Sequence, residues 1–395
     1  MSLLRTATHL LNGAGAAARA LGVEIGRLAP DDLEQAASEA EGHDDFGPTH
    51  FRAGLEVLVE SLEADANLHT AGRLHMRGLI IELLVTRLRL AARRARDRIP
   101  PIGPPPIIVC GLPRSGTTFL HRLLAERRDA RPLALWELRE PIPGRGRDRR
   151  LEQARARDRR ITEFLPRSVD AQHLMRADLP DECGHLFKVA FWSSLFWQVP
   201  AYRYLEWYLG HVPRAAYADW AALLGTLAQV GRRFVLKDPF HAANLPHLLA
   251  VAPEALIVQT HRDPVEVVPS LNKLSLTFQA VMSDQVDRAR TVALNLRWMQ
   301  ELVAQSERAR PEIPAQQLFD VDYDDLVRDP LAVVDALHSH FGLPLDIDDR
   351  NRMQRFVAEH PQHQHGANPY DAADYGQRPA EIAEAFAAYR ERFRR

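Results

Sequence analysis

The segment Ile107–Thr118 constrains the fold more than any other part of the chain. Ile107, Ile108, Val109 and Cys110 form a short, apolar, mostly β-branched run. That composition suits a strand buried on both faces of a parallel sheet. A Gly-Leu-Pro-Arg-Ser-Gly turn follows, and apolar residues then return at helical spacing from Thr117 to about Glu126. In a strand–glycine turn–helix unit, the backbone N–H groups at the helix start can hold a phosphate. Gly111 and Gly116 have the spacing of the phosphate loop G-x-x-x-x-G-K-[ST], and Thr118 fills its hydroxyl position. Thr117 stands where that loop carries its lysine. In triphosphatases this lysine reaches the β- and γ-phosphates, and Mg²⁺ neutralises the rest. A loop without it suits a single 5′-phosphate better, with Arg114 as the fixed cation.

Three further apolar runs read as parallel strands, each ending in a polar cluster. Phe234–Leu236 ends at Lys237-Asp238-Pro239, Ala255–Thr260 at His261-Arg262-Asp263-Pro264, and Gln317–Val321 at Tyr323-Asp324-Asp325. Helical patterns follow at Asn244–Ala250, Val265–Phe278 and Pro330–His340. Strands alternating with helices predict an α/β fold, a P-loop-like three-layer arrangement with a central parallel sheet flanked by helices. Ligands in such sheets bind beyond the carboxyl ends of the strands, where all these clusters lie.

Residues 1–99 read as a helical N-terminal region, with Leu55, Leu58, Leu62 and then Ile80, Leu84, Leu88 at helical spacing. A proline cluster from Pro100 to Pro106 separates it from a domain over 100–345, and 346–395 reads as a helical C-terminal extension packed on that domain. The arginine-crowded stretch 127–160 reads as a solvated surface, and most aromatics of 161–231 as core.

Composition narrows the function classes. The formal net charge of −2 gives no global field for nucleic acid. No apolar run is long enough to span a membrane. Two cysteines, Cys110 and Cys183, make no disulfide framework and point to a reducing, cytoplasmic setting. The apolar helix near the N-terminus is compatible with peripheral membrane contact, and a homo-oligomer is left open. Lysine is confined to Lys188, Lys237 and Lys273, among 50 basic residues. Where lysine persists against that bias, its chemistry is worth attention.

Beyond these patterns, PIIVCGLPRSGTTFLHRLL resembles the 5′-phosphosulfate loop of sulfotransferases that use 3′-phosphoadenosine-5′-phosphosulfate (PAPS). The resemblance continues through RFVLKDPFHAANL, ALIVQTHRDPVEVVPSL and YDDLVRDP, and is strongest to bacterial members, with local similarity to tyrosylprotein sulfotransferases. It implies PAPS as co-substrate, a hydroxyl acceptor of small-molecule, lipid or glycan type, and no required metal. It also implies that Arg114, Ser115, Gly116, Thr117 and Thr118 hold the 5′-phosphosulfate. PAPS carries a 3′-phosphate that needs its own cation. Arg262, with Ser270 in the helix that follows, matches the family's motif for it and offers charge-assisted hydrogen bonds. Tyr323 matches a segment near the adenine.

Sulfuryl transfer needs a base for the acceptor hydroxyl and positive charge at the bridging oxygen. Lys237, in a segment similar to one in the tyrosylprotein enzymes, is the candidate for the bridging oxygen. Two residues compete as base: Glu137, at an offset after the loop similar to that of the tyrosylprotein enzymes' glutamate, and His241, whose side chain ordinarily titrates near neutral pH. The competing chemistries are an ATP-dependent kinase with Mg²⁺ and a non-catalytic nucleotide-binding protein. His360, His363 and His365 do not have a standard metal-ligand spacing; a loop over the nucleotide is the alternative role for that segment.

Overall fold

β1 (Ile107–Gly111), β2 (Ala130–Arg131), β3 (Arg233–Lys237), β4 (Leu256–His261) and β5 (Leu318–Asp322) form one parallel sheet in the order β2-β3-β1-β4-β5. The structure, a computed structural model, describes residues 3–23, 25–164, 174–361 and 370–393. Alternation along β1 sends Ile108 and Cys110 into one core cluster and Ile107 and Val109 into another, as expected for a strand covered on both faces. The second cluster includes Leu120, Leu123 and Leu124 of the helix after the loop. The first takes in the N-terminal helices and the aromatic segment after residue 183. Because every strand runs the same way, Gly111, Lys237, His261 and Asp322 all end on one side of the sheet. The α/β reading therefore stands, with strand bounds shifted by about one residue. Sequence patterns did not reveal β2, which has only two residues, or the long helix Arg288–Ala309.

The N-terminal helices Pro30–Glu41, Phe51–Ala64 and Thr70–Arg96 pack their leucines inward. Among the described residues, no helix is long and apolar enough to cross a membrane. Polar contacts join these helices to the rest of the fold. Arg87 is 1% exposed and donates to Asp219 at 2.7 Å, to Pro48 O at 2.6 Å and to Val189 O at 3.3 Å. Arg94 and His50 reach the same carboxylate, each at 2.8 Å. Burial pushes the Asp219 carboxyl up, but the His50 hydrogen bond and the Arg87 charge outweigh it and hold the group well below its usual range.

A buried arginine tolerates its site only while its counter-charge is present. Asp219→Asn is expected to cost about 3–5 kcal/mol at pH 7, by urea unfolding. Because the folded value is depressed, this stabilisation is complete above the unfolded carboxylate value of about 4 and fades as pH falls toward the folded value. The gap between wild type and variant should therefore shrink below about pH 4.

Candidate functional site

The turn after β1 has a backbone that few residues can adopt. Gly111, Arg114 and Gly116 have φ of 128°, 67° and 83°. A Cβ on Gly111 would lie 2.2 Å from Thr260 O, so glycine is required for the close passage of β1 and β4. The Ser115 hydroxyl donates to Leu112 O and lies 2.5 Å from Thr260 Oγ1. Ser115 is fully buried, so its side chain shapes the loop instead of reaching out of it. The helix Thr117–Leu124 starts directly after Gly116, and its first N–H groups lack intrahelical acceptors.

The loop divides two cavities. One, of about 490 Å³, is lined by Arg114, Gly116, Thr117, Thr118, Arg262, Tyr323 and His360. Its size lies within the usual range for ligand sites. Arg262 from the end of β4 donates to Arg114 O at 2.9 Å, and its guanidinium lies 4.1 Å from the Tyr323 ring centroid. Arg114 Nε donates to Ser270 Oγ at 3.1 Å. Burial and the neighbouring Arg262 hold the Arg114 guanidinium below its ordinary value. The sequence-derived cluster Arg114, Arg262, Ser270 and Tyr323 thus meets in space, with two cations converging on one cavity. His360 stacks on Phe356 at 4.2 Å. His363 and His365 lie outside the described residues, and no group of metal-ligating side chains occurs among the described ones.

The other cavity, of about 50 Å³, shares Arg114, Thr117 and Thr118 with the first and adds Asp181, Glu182, His185, Trp197, Phe240, Leu271 and Leu274. Lys237, 1% exposed at the end of β3, donates to Glu182 Oε1 at 2.7 Å. Two residues on, Gly184 passes close to Asp238: a Cβ there would lie 2.0 Å from Asp238 Oδ2. Asp238 accepts from Phe240 N at 2.9 Å, and burial together with the Glu182 charge pushes its carboxyl up. A buried carboxyl that caps its own turn is poorly placed as a metal ligand.

Both sequence candidates for the base are committed elsewhere. Glu137 binds Arg131 through both oxygens, at 3.0 and 2.5 Å, and accepts from Ala134 N at 3.1 Å. It caps the helix Leu135–Arg139 and borders neither cavity. His241 is fully buried, with Nδ1 2.7 Å from Tyr217 Oη and Nε2 3.2 Å from Cys183 Sγ. Burial lowers its ring to about 3. It borders neither cavity, although its neighbour Phe240 does. Two carboxylates do line the small cavity, Asp181 and Glu182, and sequence reasoning missed both; Glu182 is the one bonded to Lys237. No spacing rule links it to Lys237, and only the fold brings them together.

Residues 105–348 match the profile described as "Sulfotransferase family". A curated relative, "Omega-hydroxy-beta-dihydromenaquinone-9 sulfotransferase Stf3" of Mycobacterium tuberculosis, is 25% identical over 129 residues. The same protein of Mycobacterium bovis matches equally. That match spans 32% of this chain and about a third (33%) of the relative. The solved structure of sulfotransferase STF9 from Mycobacterium avium superposes with a TM-score of 0.82 at 25% identity, covering 93% of this chain and 97% of that one. Sulfotransferase STF1 from Mycobacterium tuberculosis gives a TM-score of 0.74 at 28% identity, over 91% and 98%.

Proposed function

This chain belongs to the sulfotransferase family, and from that premise we propose that it moves a sulfuryl group from PAPS to an acceptor hydroxyl. The carrying observation is that Arg114, Thr117 and Thr118 border both a nucleotide-sized cationic cavity and a small pocket holding a carboxylate. The donor supplies an activated sulfuryl group on a phosphate leaving group. The loop N–H groups, Arg114 and Thr118 hold its 5′ end; Arg262 and Ser270 take the 3′-phosphate; Tyr323 lies beside the adenosine. A Cβ at Gly116 would fill part of this cradle, lying 2.9 Å from Leu326 and 3.3 Å from Tyr323.

Glu182 is the proposed base: its carboxylate, which borders the small pocket, accepts the proton from the acceptor hydroxyl. Lys237, now on Glu182, is the cation for charge developing on the bridging oxygen. The pocket walls Leu271, Leu274, Trp197 and Phe240 are apolar. They favour an apolar alcohol of lipid type, in keeping with the curated relative's name. At about 50 Å³ the pocket admits only the hydroxyl-bearing end.

Calorimetry with adenosine 3′,5′-bisphosphate against ATP–Mg²⁺ tests the donor class. Micromolar binding of the bisphosphate and weak binding of ATP is the expected result; the reverse points to a kinase. Lys237→Ala should spare bisphosphate binding and remove about 10²–10³-fold of turnover with labelled PAPS. Unchanged turnover rejects its role.

A further inference from the structure

Behind Phe240 lies a third cavity, a cleft of about 340 Å³, that the transfer chemistry does not use. Phe240 lines this cleft and also the small Glu182 pocket, so one ring separates them. The inner wall is aromatic. Phe240 stacks on Trp298 at 4.2 Å and 8°, and Tyr208 meets Trp298 edge-on at 6.4 Å and Trp192 at 4.5 Å. All four rings are buried and packed against one another. The rim is acidic. Glu301 and Glu312 line it, and neither has an ion-pair partner within 4 Å among the described residues. Arg308 is the arginine of the lining, against these two carboxylates. His247 also borders the cleft, and burial lowers its ring, so it adds no positive charge at neutral pH.

Aromatic faces attract cations through their quadrupole, and a nearby carboxylate adds a charge-assisted contact. Flat faces accept flat ligands by offset stacking. We propose that this cleft is a further ligand site that binds a flat organic cation, an aromatic ring carrying an alkylammonium group, between the ring wall and Glu301. The site stands apart from the nucleotide cavity and does not depend on the sulfuryl-transfer reading.

The test is calorimetric titration of the full chain at low salt with three probes of one shape: tryptamine (cation), tryptophol (neutral) and indole-3-acetate (anion). Tryptamine should bind about tenfold more tightly than tryptophol, and indole-3-acetate should give no heat. Glu301→Gln with Glu312→Gln should bring tryptamine down to the tryptophol level. Ala243→Trp, which fills the cleft, should abolish both; the double Gln variant keeps the test alive if this one misfolds. Saturation with adenosine 3′,5′-bisphosphate should leave tryptamine affinity unchanged. Equal affinity for tryptamine and tryptophol, no binding of either, an unaffected double variant, or displacement by the bisphosphate overturns the proposal.

Discussion

Glu182→Gln is expected to lower turnover by about 10²–10⁴-fold while leaving adenosine 3′,5′-bisphosphate binding unchanged. The amide keeps the shape of the side chain and can still accept from Lys237, but it cannot take a proton. The loss should fall on kcat and kcat/KM together, because the removed interaction belongs to the transition state. The contrasting carboxylate is Glu137. It is tied to Arg131 and to the backbone of its own helix, so Glu137→Gln should act on stability, at about 1–3 kcal/mol. Turnover per folded molecule should then stay within about threefold of wild type. Labelled PAPS assays beside urea unfolding separate the two outcomes. A Glu137→Gln variant that folds normally and has lost turnover would return the base to Glu137.

The two carboxylates also show where sequence reading stops. The phosphate loop was legible because its geometry is local: strand, two glycines and helix lie within one short segment. The strand ends were legible for a related reason. A parallel sheet places every carboxyl end on one side, so Arg262 and Lys237 could be sent to that side of the sheet from apolar runs alone. Glu182 belongs to neither class. It precedes the 3-10 segment Cys183–Ala190, which has no strand or α-helix period, and it meets Lys237 only in the folded chain. Glu137 shows the complementary difficulty. A Glu near a helix start is as readily a cap as a base, and the arginine that occupies it, Arg131, lies in the two-residue strand β2 that patterning could not see. His241 follows the same logic: its imidazole suits proton transfer in water, but in the fold it is buried, its ring value is lowered, and its two ring nitrogens face Tyr217 and Cys183. Lysine scarcity was the more useful hint. Lys188 and Lys237 are both buried, where a cation is costly unless its charge is used or paired.

Arg262→Ala is expected to weaken adenosine 3′,5′-bisphosphate by about 1.5–3 kcal/mol, roughly 10–150-fold in Kd. Under the proposed assignment this loss is specific to the 3′-phosphate. Adenosine 5′-phosphosulfate, which lacks that group, should bind wild type and variant within about threefold of each other. The comparison matters because Arg262 has a second task. Its Nη1 donates to Arg114 O at 2.9 Å and so supports the strained loop residue that faces the 5′ end. If loop support were its main contribution, both nucleotides would weaken together. Arg262→Lys refines the distinction, since it keeps a charge near the 3′-phosphate but loses the planar fork and the stack on Tyr323. Ser270→Ala removes only a neutral hydroxyl, itself held by Arg114, and should cost less than either. The order Arg262→Ala, Arg262→Lys, Ser270→Ala in loss of bisphosphate affinity, with adenosine 5′-phosphosulfate little changed throughout, is the signature of a 3′-phosphate site. Equal losses for the two nucleotides would make Arg262 a support for the loop, and the 3′-phosphate would need another cation.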